Sequence, residues 1–476
     1  MASLALAAKK LKARLGDESW LGLDEAQVRD ACRAVGCRGR RCFWRPTVVI
    51  MTFLQQVLHG WSCRAAVAQT VAGSAAGDAG IGADGEGWVS CEPSAYSQAR
   101  GHLPPALLEE LNRRLVQRAR SGGGERRWCG RRVVVVDGSS VSMPDTGELQ
   151  QAYPQPSQQR RGCGFPIARL VALFCWGSGA MIELRAASRR IGELTLFRRL
   201  FAKLRRGDVV LGDRLFSSYY DIAALLQRGV DTVTRMNARR SADLRRGLRL
   251  GCNDHVIEWK RPTQRGMGLS PAQWSLIPAT LRVRHVRFTV AQPGFRSRTI
   301  DLVTTLLNPK EVPAWELARL YRDRWSVELN LRSFKTTLKL DVLRCQSVDM
   351  TTKELLVGQI AYNLIRLLMV EAAREHECDL HRLSFAGTQQ RVRAVLVWLV
   401  RCTTPGQRMR LARKLLEWIA ADLLPDRPGR IEPRCVKRRP KPYPYLFEPR
   451  DKARARAIRT HSKSPNKYAA ACRKTA

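Results

Sequence analysis

At 476 residues the chain is long enough for a large domain with appended pieces, and an apolar content of 45% supplies a core, which excludes a wholly disordered chain. Lys and Arg number 82 against 42 Asp and Glu, a formal charge of +40 spread along the whole length, so a polyanion is the expected partner. The best candidate for a membrane span, 355–370, is broken by Gln359, Asn363 and Arg366, and the bases near the N-terminus follow a short apolar run instead of preceding it, so neither a span nor a signal peptide is expected.

Residues 1–125 are expected to form a helical N-terminal domain. Residues 24–35 open with the capping acid Asp24, 46–58 form an apolar helix begun by Pro46, and 62–71 a third helix. The Gly- and Ala-rich stretch 73–86 is expected to be a loop, after which 94–104 and 105–120 restart the helices. Arg100, Arg113, Arg114, Arg118 and Arg120 are then available to phosphate. Small helices with scattered Arg suit a module that reads DNA ends, and also suit a lid that packs on the next domain. Fourteen cysteines without a C-x2-C pair point to reduced thiols in a cytosol. Neither Cys32, Cys37 and Cys42 nor the trio His376, Cys378 and His381 has a familiar zinc-ligand spacing, so zinc is not expected.

Ser121 and the glycines 122–124 make a linker, after which the pattern changes from helix to strand. Four consecutive valines, 133–136, form a buried strand that ends in Asp137. A carboxylate closing an apolar strand needs a partner or a cation, because a lone buried charge is costly. Residues 169–176 and 180–184, joined by the turn 177–179, form a hairpin, and 191–204 a helix. Residues 208–212 are a second short apolar strand ending in an acid, Asp213, followed by a helix at 217–228 and a strand at 230–235. The order β-β-β-α-β-α-β is that of the ribonuclease H fold, an α/β mixed sheet flanked by helices. It places the ends of the first and fourth strands side by side, and with them Asp137 and Asp213.

Residues 238–307 interrupt this pattern as a β insertion. The alternation of apolar and basic residues over 281–290 predicts a half-exposed antiparallel strand with a basic outer face, with companions at 256–260 and 298–306. Beyond the insertion, 321–335 is expected to be one continuous helix. At roughly 100° per residue, Tyr321, Arg324, Glu328 and Lys335 fall within an arc of about 60°, a face suited to DNA phosphate and a metal ion. Val327, Leu331, Phe334 and Leu338 lie beside it for burial. A long amphipathic helix at 353–374 closes the catalytic core, 126–375, and helices within 391–423 belong to a C-terminal segment, 376–426. The Pro-rich, basic tail 427–476 is expected to stay extended until it meets a polyanion.

The spacing Tyr321-x2-Arg324-x3-Glu328-x6-Lys335 resembles the signature of the IS4 family of bacterial DDE transposases. Asp137-Gly-Ser-Ser is similar to that family's first-aspartate block, Tyr153-Pro-Gln-Pro and Gly162-Cys-Gly-Phe-Pro to the segment that follows it, and Leu211-Gly-Asp213-Arg-Leu-Phe to the second-aspartate block. The resemblance implies that Asp137, Asp213 and Glu328 are catalytic metal ligands, Asp137 bridging two Mg²⁺ ions with Mn²⁺ as a substitute, and Asp213 and Glu328 each holding one. Two such ions about 4 Å apart stabilise the attacking and leaving oxygens of an in-line phosphoryl displacement. Tyr321, Arg324 and Lys335 would hold phosphate, with Arg322 and Arg332 as further candidates.

Cut-and-paste movement of an insertion sequence follows as the implied activity, on inverted-repeat ends and target DNA, with a homodimer pairing two ends in a bacterial, nucleoid-associated setting. Relatives that pass through a hairpinned end use a Trp late in the insertion. This chain has none between Trp274 and Trp315, which leaves Trp259 and Trp274 as the candidates. A ribonuclease H-fold nuclease without strand transfer, and a DNA-binding derivative that has lost catalysis, are the competing readings.

Overall fold

The computed structural model describes residues 23, 25–37, 42–76, 91–121, 126–240, 243, 245–266, 268–289, 299–399, 402, 404–425 and 445–463. Five helices come first: α1 (Glu25–Ala34), α2 (Pro46–His59), α3 (Cys63–Ala76), α4 (Pro93–Gly101) and α5 (Pro105–Ser121). Pro46 stands in the first turn of α2, where its missing N–H costs nothing, and Gly60 closes that helix in the left-handed conformation at φ 69°. Helix α3 outruns the expected 62–71, while residues 77–90 and 122–125 lie outside the described residues, and with them most of the expected loop and linker.

The remainder is mixed α/β. Strand β1 (Val133–Ser142), helix α6 (Gly147–Ala152), β2 (Ile167–Cys175), β3 (Met181–Ser188), α7 (Glu193–Arg198), β4 (Val209–Gly212), α8 (Tyr219–Gln227) and β5 (Asp231–Arg235) follow in chain order. Then come β6 (Leu248–Gly251), β7 (Asp254–Lys260), α9 (Pro271–Ser275), β8 (Thr280–Thr289) and β9 (Thr299–Thr304). Helices α10 (Ala314–Asp323), α11 (Trp325–Arg332), α12 (Val348–Glu375), α13 (Phe385–Leu399), α14 (Pro405–Ala421) and α15 (Arg450–Lys463) complete the order. All nine strands form one sheet in the order β3-β2-β1-β4-β5-β9-β8-β7-β6. Only β1–β4 and β4–β5 are parallel; the other pairings are antiparallel. The inserted strands therefore extend the main sheet through the β5–β9 pairing.

Helix α12 is long and apolar enough to cross a membrane, yet 89% of its apolar window is buried inside the fold. Its polar residues are satisfied there. Asn363 accepts from the Met181 N–H at 2.8 Å, donates to the Met181 carbonyl at 2.9 Å and donates to Asn112 Oδ1 at 2.6 Å, tying β3, α12 and α5 together. Leu107, Leu108, Leu111 and Leu115 of α5 share one hydrophobic cluster with Ile360 and Leu364 of α12 and with Val133 and Val135 of β1. The N-terminal helices are thus packed into the core of the sheet layer.

Four local expectations are corrected. The helix foreseen at 191–204 is only α7 followed by a 3₁₀ turn, Phe201–Lys203, because Leu200 and Lys203 donate to carbonyls three residues back. Strand β8 lacks the continuous basic outer face. It is held between β7 and β9, Arg284 is 0% exposed, and its Nε and Nη2 donate to the Asp254 carboxylate at 2.8 and 2.6 Å while Nη1 donates to the Val312 carbonyl. Arg100 is likewise buried, over the Phe53 and Tyr96 rings, and so is not open to phosphate, while Arg113 and Arg114 pair with Glu110. In the tail, residues 426–444 and 464–476 lie outside the described residues, but the Ala- and Arg-rich Arg450–Lys463 is helical where an extended chain was expected.

Candidate active site

Strand β1 supplies the first acid, and its partners decide what Asp137 can do. Its β4 side pairs Val133 with Val209, Val134 with Val210 and Val135 with Leu211. The pairing ends there, and the same register carried two residues further would set Asp137 level with Asp213, the residue that follows the end of β4. Side chains alternate between faces, so Asp137 and Asp213 share the face of Val133, Val135, Val209 and Leu211, which is the face of the main hydrophobic cluster. Asp137 is not the end of its strand, as the sequence suggested. Strand β1 continues to Ser142 because antiparallel β2 pairs with it that far, whereas β4 stops at Gly212. Between Val135 and Ser142, which bridges Val342, no strand pairs with β1 on that side among the described residues, and Asp137 lies in this gap.

Both aspartates are half-buried and fixed by short-range bonds. Asp137 Oδ1 accepts from the Gly138 N–H at 2.9 Å, and Asp213 Oδ1 from the Leu215 N–H at 2.8 Å. Strand β5 pairs with β4 through Gly212 and Thr234, so Arg235 stands level with Asp213 on the next strand. Sequence reading missed this base, although it closes its strand just as Asp213 follows β4.

The segment 321–335 is not one straight helix. Helix α10 ends at Asp323, Arg324 forms the junction, α11 runs to Arg332, and Ser333–Thr337 is a π-helical turn. Tyr321 is buried, and burial pushes its phenol above the usual range; Arg324 and Arg235 oppose that shift and Asp213 adds to it. The phenol is therefore a neutral donor among Asp213, Arg235 and Arg324. The buried Arg324 guanidinium lies 5.6 Å from the Tyr321 ring centroid. Lys335, in the π turn, donates from Nζ to Ser139 Oγ at 2.9 Å, so its ammonium reaches β1 just beyond Asp137. Because a π turn rotates each residue less than an α turn, Lys335 does not follow from the straight-helix arc. Glu328 lies on α11, which packs against β1; its side chain is outside the described residues, as are those of residues 325–327. Leu331, Phe334 and Leu338 are buried beside it. Arg322 is exposed on α10, and Arg332 lines a separate cleft of about 350 Å³ with Trp176, Arg366 and Phe385.

A second feature missed from sequence is Glu193, the first residue of α7. A β-carbon built on Gly138 would stand 2.0 Å from Glu193 Oε1, so the carboxylate rests on the β1 backbone beside Asp137. Burial raises its pKa, Arg169 opposes the shift and Asp213 adds to it.

The donors fit a hard divalent cation in kind, since the aspartates present carboxylate oxygens on one face. Among the described residues no three His, Cys, Asp or Glu side chains converge closely enough to hold an ion. The same holds for the cysteine and histidine groups: Cys32 is buried, its thiol pushed up to about 11 by burial and by Cys37, and none of the twelve cysteines among the described residues is in a disulfide. Of the two tryptophans considered for a flipped base, Trp259 is covered by the Arg240 guanidinium at 3.9 Å, and Trp274 lies half-buried between Arg261 and Tyr220.

Comparison with known proteins gives the same span. Residues 128–364 match the family described as Transposase DDE domain, and the match contains Asp137, Asp213, Tyr321, Arg324, Glu328 and Lys335. The transposase InsG for insertion sequence element IS4 of Escherichia coli (strain K12) is 26% identical over 356 residues, covering 74% of this chain and 78% of that protein. Among solved structures, a cryo-EM structure of the piggyBac transposase synaptic complex with hairpin DNA aligns with a TM-score of 0.40 at 9% identity, covering 87% of this chain and 84% of that one.

Proposed function

This chain belongs to the IS4 family of DDE transposases, enzymes that cleave and transfer DNA strands, and we propose that it moves its element by cut-and-paste with Asp137, Asp213 and Glu328 as metal ligands. The observation that supports the residue assignment is the β1–β4 register, which, continued two residues beyond Val135 and Leu211, would set Asp137 level with Asp213, on a strand against which α11 packs. The strand arrangement β3-β2-β1-β4-β5, with two antiparallel and two parallel pairings, supports a ribonuclease H-like reading of this half of the sheet.

The family depends on a divalent metal, and the all-oxygen donor set supports Mg²⁺, with Mn²⁺ as a substitute. Bound divalent ions would supply Lewis-acid stabilisation of the attacking and leaving oxygens. The chain's own groups bind and orient the strand. Arg235, Arg324 and Lys335 ring the acids with positive charge for the phosphate, and Tyr321 holds its proton and donates to a phosphate oxygen. Freeing a 3′-hydroxyl at one cut and using it at a second exchanges one phosphodiester for another, so no nucleotide is consumed.

The formal charge of +40 supports double-stranded DNA as the partner, both element ends and target, and a nucleoid-associated location in a bacterial cytoplasm. Pairing two ends calls for a homodimer. The helical segment before residue 121 is assigned to DNA-end binding, residues 126–375 to catalysis and the basic segment after 427 to further DNA contact.

The test uses labelled DNA carrying the element's termini with Mg²⁺, wild type against Glu328→Gln. Cleavage and joining by the wild type, lost in the variant with DNA binding retained, support the proposal. Free ends without joined strands would instead indicate a nuclease, and an equally active variant would remove Glu328 from the site.

A further inference from the structure

The cleft shared by Trp176, Arg332 and Arg366 has a volume of about 350 Å³, at the lower end for a small-ligand pocket. Asn330 and Arg332 of α11 and Ser333 and Thr336 of the π turn form one wall, and the β2–β3 turn at Ser178 and Gly179 lies in another. The guanidinium of Arg366 is fixed inside it. Its Nε donates to the Tyr362 hydroxyl at 3.0 Å and its Nη2 to Asn330 Oδ1, while a β-carbon on Gly179 would stand 2.7 Å from the guanidinium carbon, so only glycine lets the group lie there. Among the described residues Nη1 is left with the Met369 sulfur at 3.9 Å, a weak acceptor. Trp176 is 4% exposed, yet its indole Nε1–H has no partner among the described residues. The same is true of the buried Nε2 of His381, whose ring centroid lies 6.2 Å from that of the indole. Burial pushes the His381 imidazole below its usual range, Asp379 opposes that shift and Arg126 and Arg366 add to it, so the ring is neutral. A buried donor without an acceptor is costly, and three such nitrogens around one cleft mark a place for acceptor oxygens. The charge agrees: the ionised side chains lining the cleft are Arg332 and Arg366, Arg126 covers the indole at 4.6 Å, and no carboxylate among the described residues lines it.

We infer that this cleft binds a phosphomonoester, whose oxygens accept from Trp176 Nε1 and Arg366 Nη1 and, in its Nε2–H tautomer, from His381, with the exposed Arg332 at the rim meeting the second charge. A phosphate inside an intact duplex does not fit, because its flanking nucleotides cannot follow it into a space of this size. Two sources supply the same chemistry: a free nucleotide, and the 5′-phosphate end that strand cleavage leaves opposite the 3′-hydroxyl. Only the second rests on the cleavage reading, and neither depends on which acids hold metal. Since α11 and the π turn form one wall, the bound phosphate would bear on the segment that carries Glu328 and Lys335.

The experiment follows the indole N–H resonances of the full chain carrying isotope-labelled tryptophan, the Trp176 signal being the one that disappears in Trp176→Phe. The probes are deoxyadenosine monophosphate with deoxyadenosine as its control, and a single-stranded oligonucleotide with a 5′-phosphate against the same strand with a 5′-hydroxyl. The Trp176 signal is expected to move saturably with a phosphate-bearing probe and not with its control. Movement with the monophosphate assigns a free nucleotide as the ligand, and movement with the 5′-phosphorylated strand alone assigns the cleaved end. Arg366→Lys is expected to weaken the response by about tenfold, the loss of one charge-assisted hydrogen bond. Arg332→Gln, on the surface, should weaken it several-fold and decides the matter should Arg366→Lys fail to fold. No movement with either phosphate probe, equal movement with the controls, or undiminished affinity in Arg332→Gln would overturn the inference. Strand cleavage is read separately through Glu328→Gln, so failure here leaves that reading standing.

Discussion

Lys335 Nζ donates a 2.9 Å hydrogen bond to Ser139 Oγ, which joins the π turn at the end of α11 to β1 two residues beyond Asp137. Ser139 and Asp137 share a face of the strand, so this single bond sets the ammonium beside the acid. The bond depends on the π turn, because a regular α turn would aim residue 335 elsewhere.

Lys335→Ala is expected to lower strand cleavage by about 10- to 100-fold, the size of one lost charge-assisted contact of roughly 1.5–3 kcal/mol. Ser139→Ala keeps the charge and loses only its tether, so its loss should be several-fold smaller. Single-turnover cleavage of labelled ends checks this, and equal losses in the two variants would mean the tether itself is the functional element.

Asp137→Asn and Asp213→Asn should each reduce cleavage by about 10³-fold, since removing a ligand forfeits several kcal/mol of transition-state stabilisation. The double variant should be no worse than the weaker single one, because the residues act as a unit. Filter binding to the same DNA would remain. Multiplicative losses in the double variant would argue that the two acids serve separate steps.

These acids were legible in the sequence because each follows a short apolar strand, and a period of two residues fixes the face once the strand is known. Arg284 was not legible. Alternation of apolar and basic residues shows that a strand has two faces, but whether the basic face meets water depends on what else packs there, and here Asp254 and Val312 cover it.

Asp254→Asn should therefore destabilise the protein by about 3–5 kcal/mol, because it strands a fully buried guanidinium without its counter-charge. Urea denaturation gives the measurement, and a change below about 1 kcal/mol would show that the site admits water.

Stability should also fall between pH 7 and pH 5. The His59 imidazole is pushed down to about 4, first by burial and then by Arg393, whose Nε donates to its Nδ1 at 3.3 Å. The fold thus holds the ring neutral while the unfolded chain protonates near 6.5, so stability fully present above that value is lost as pH falls toward 4. His59→Gln should shrink the drop in Tm across this range. An unchanged drop would assign it to other groups.

The sequence by itself determined the class of elements, the two acid-bearing strands, the base-rich helical stretch and the family, because hydrophobic period and residue spacing are local properties of the chain. Only the tertiary structure decided which of the scattered groups meet. Arg235 comes level with Asp213 through the β4–β5 register, Lys335 reaches Ser139 through a π turn, and Glu193 arrives at Gly138 from the far side of the sheet. Each of these juxtapositions joins residues 22 or more positions apart. No local pattern encodes them: they follow from strand pairing and layer packing, which depend on the whole chain at once.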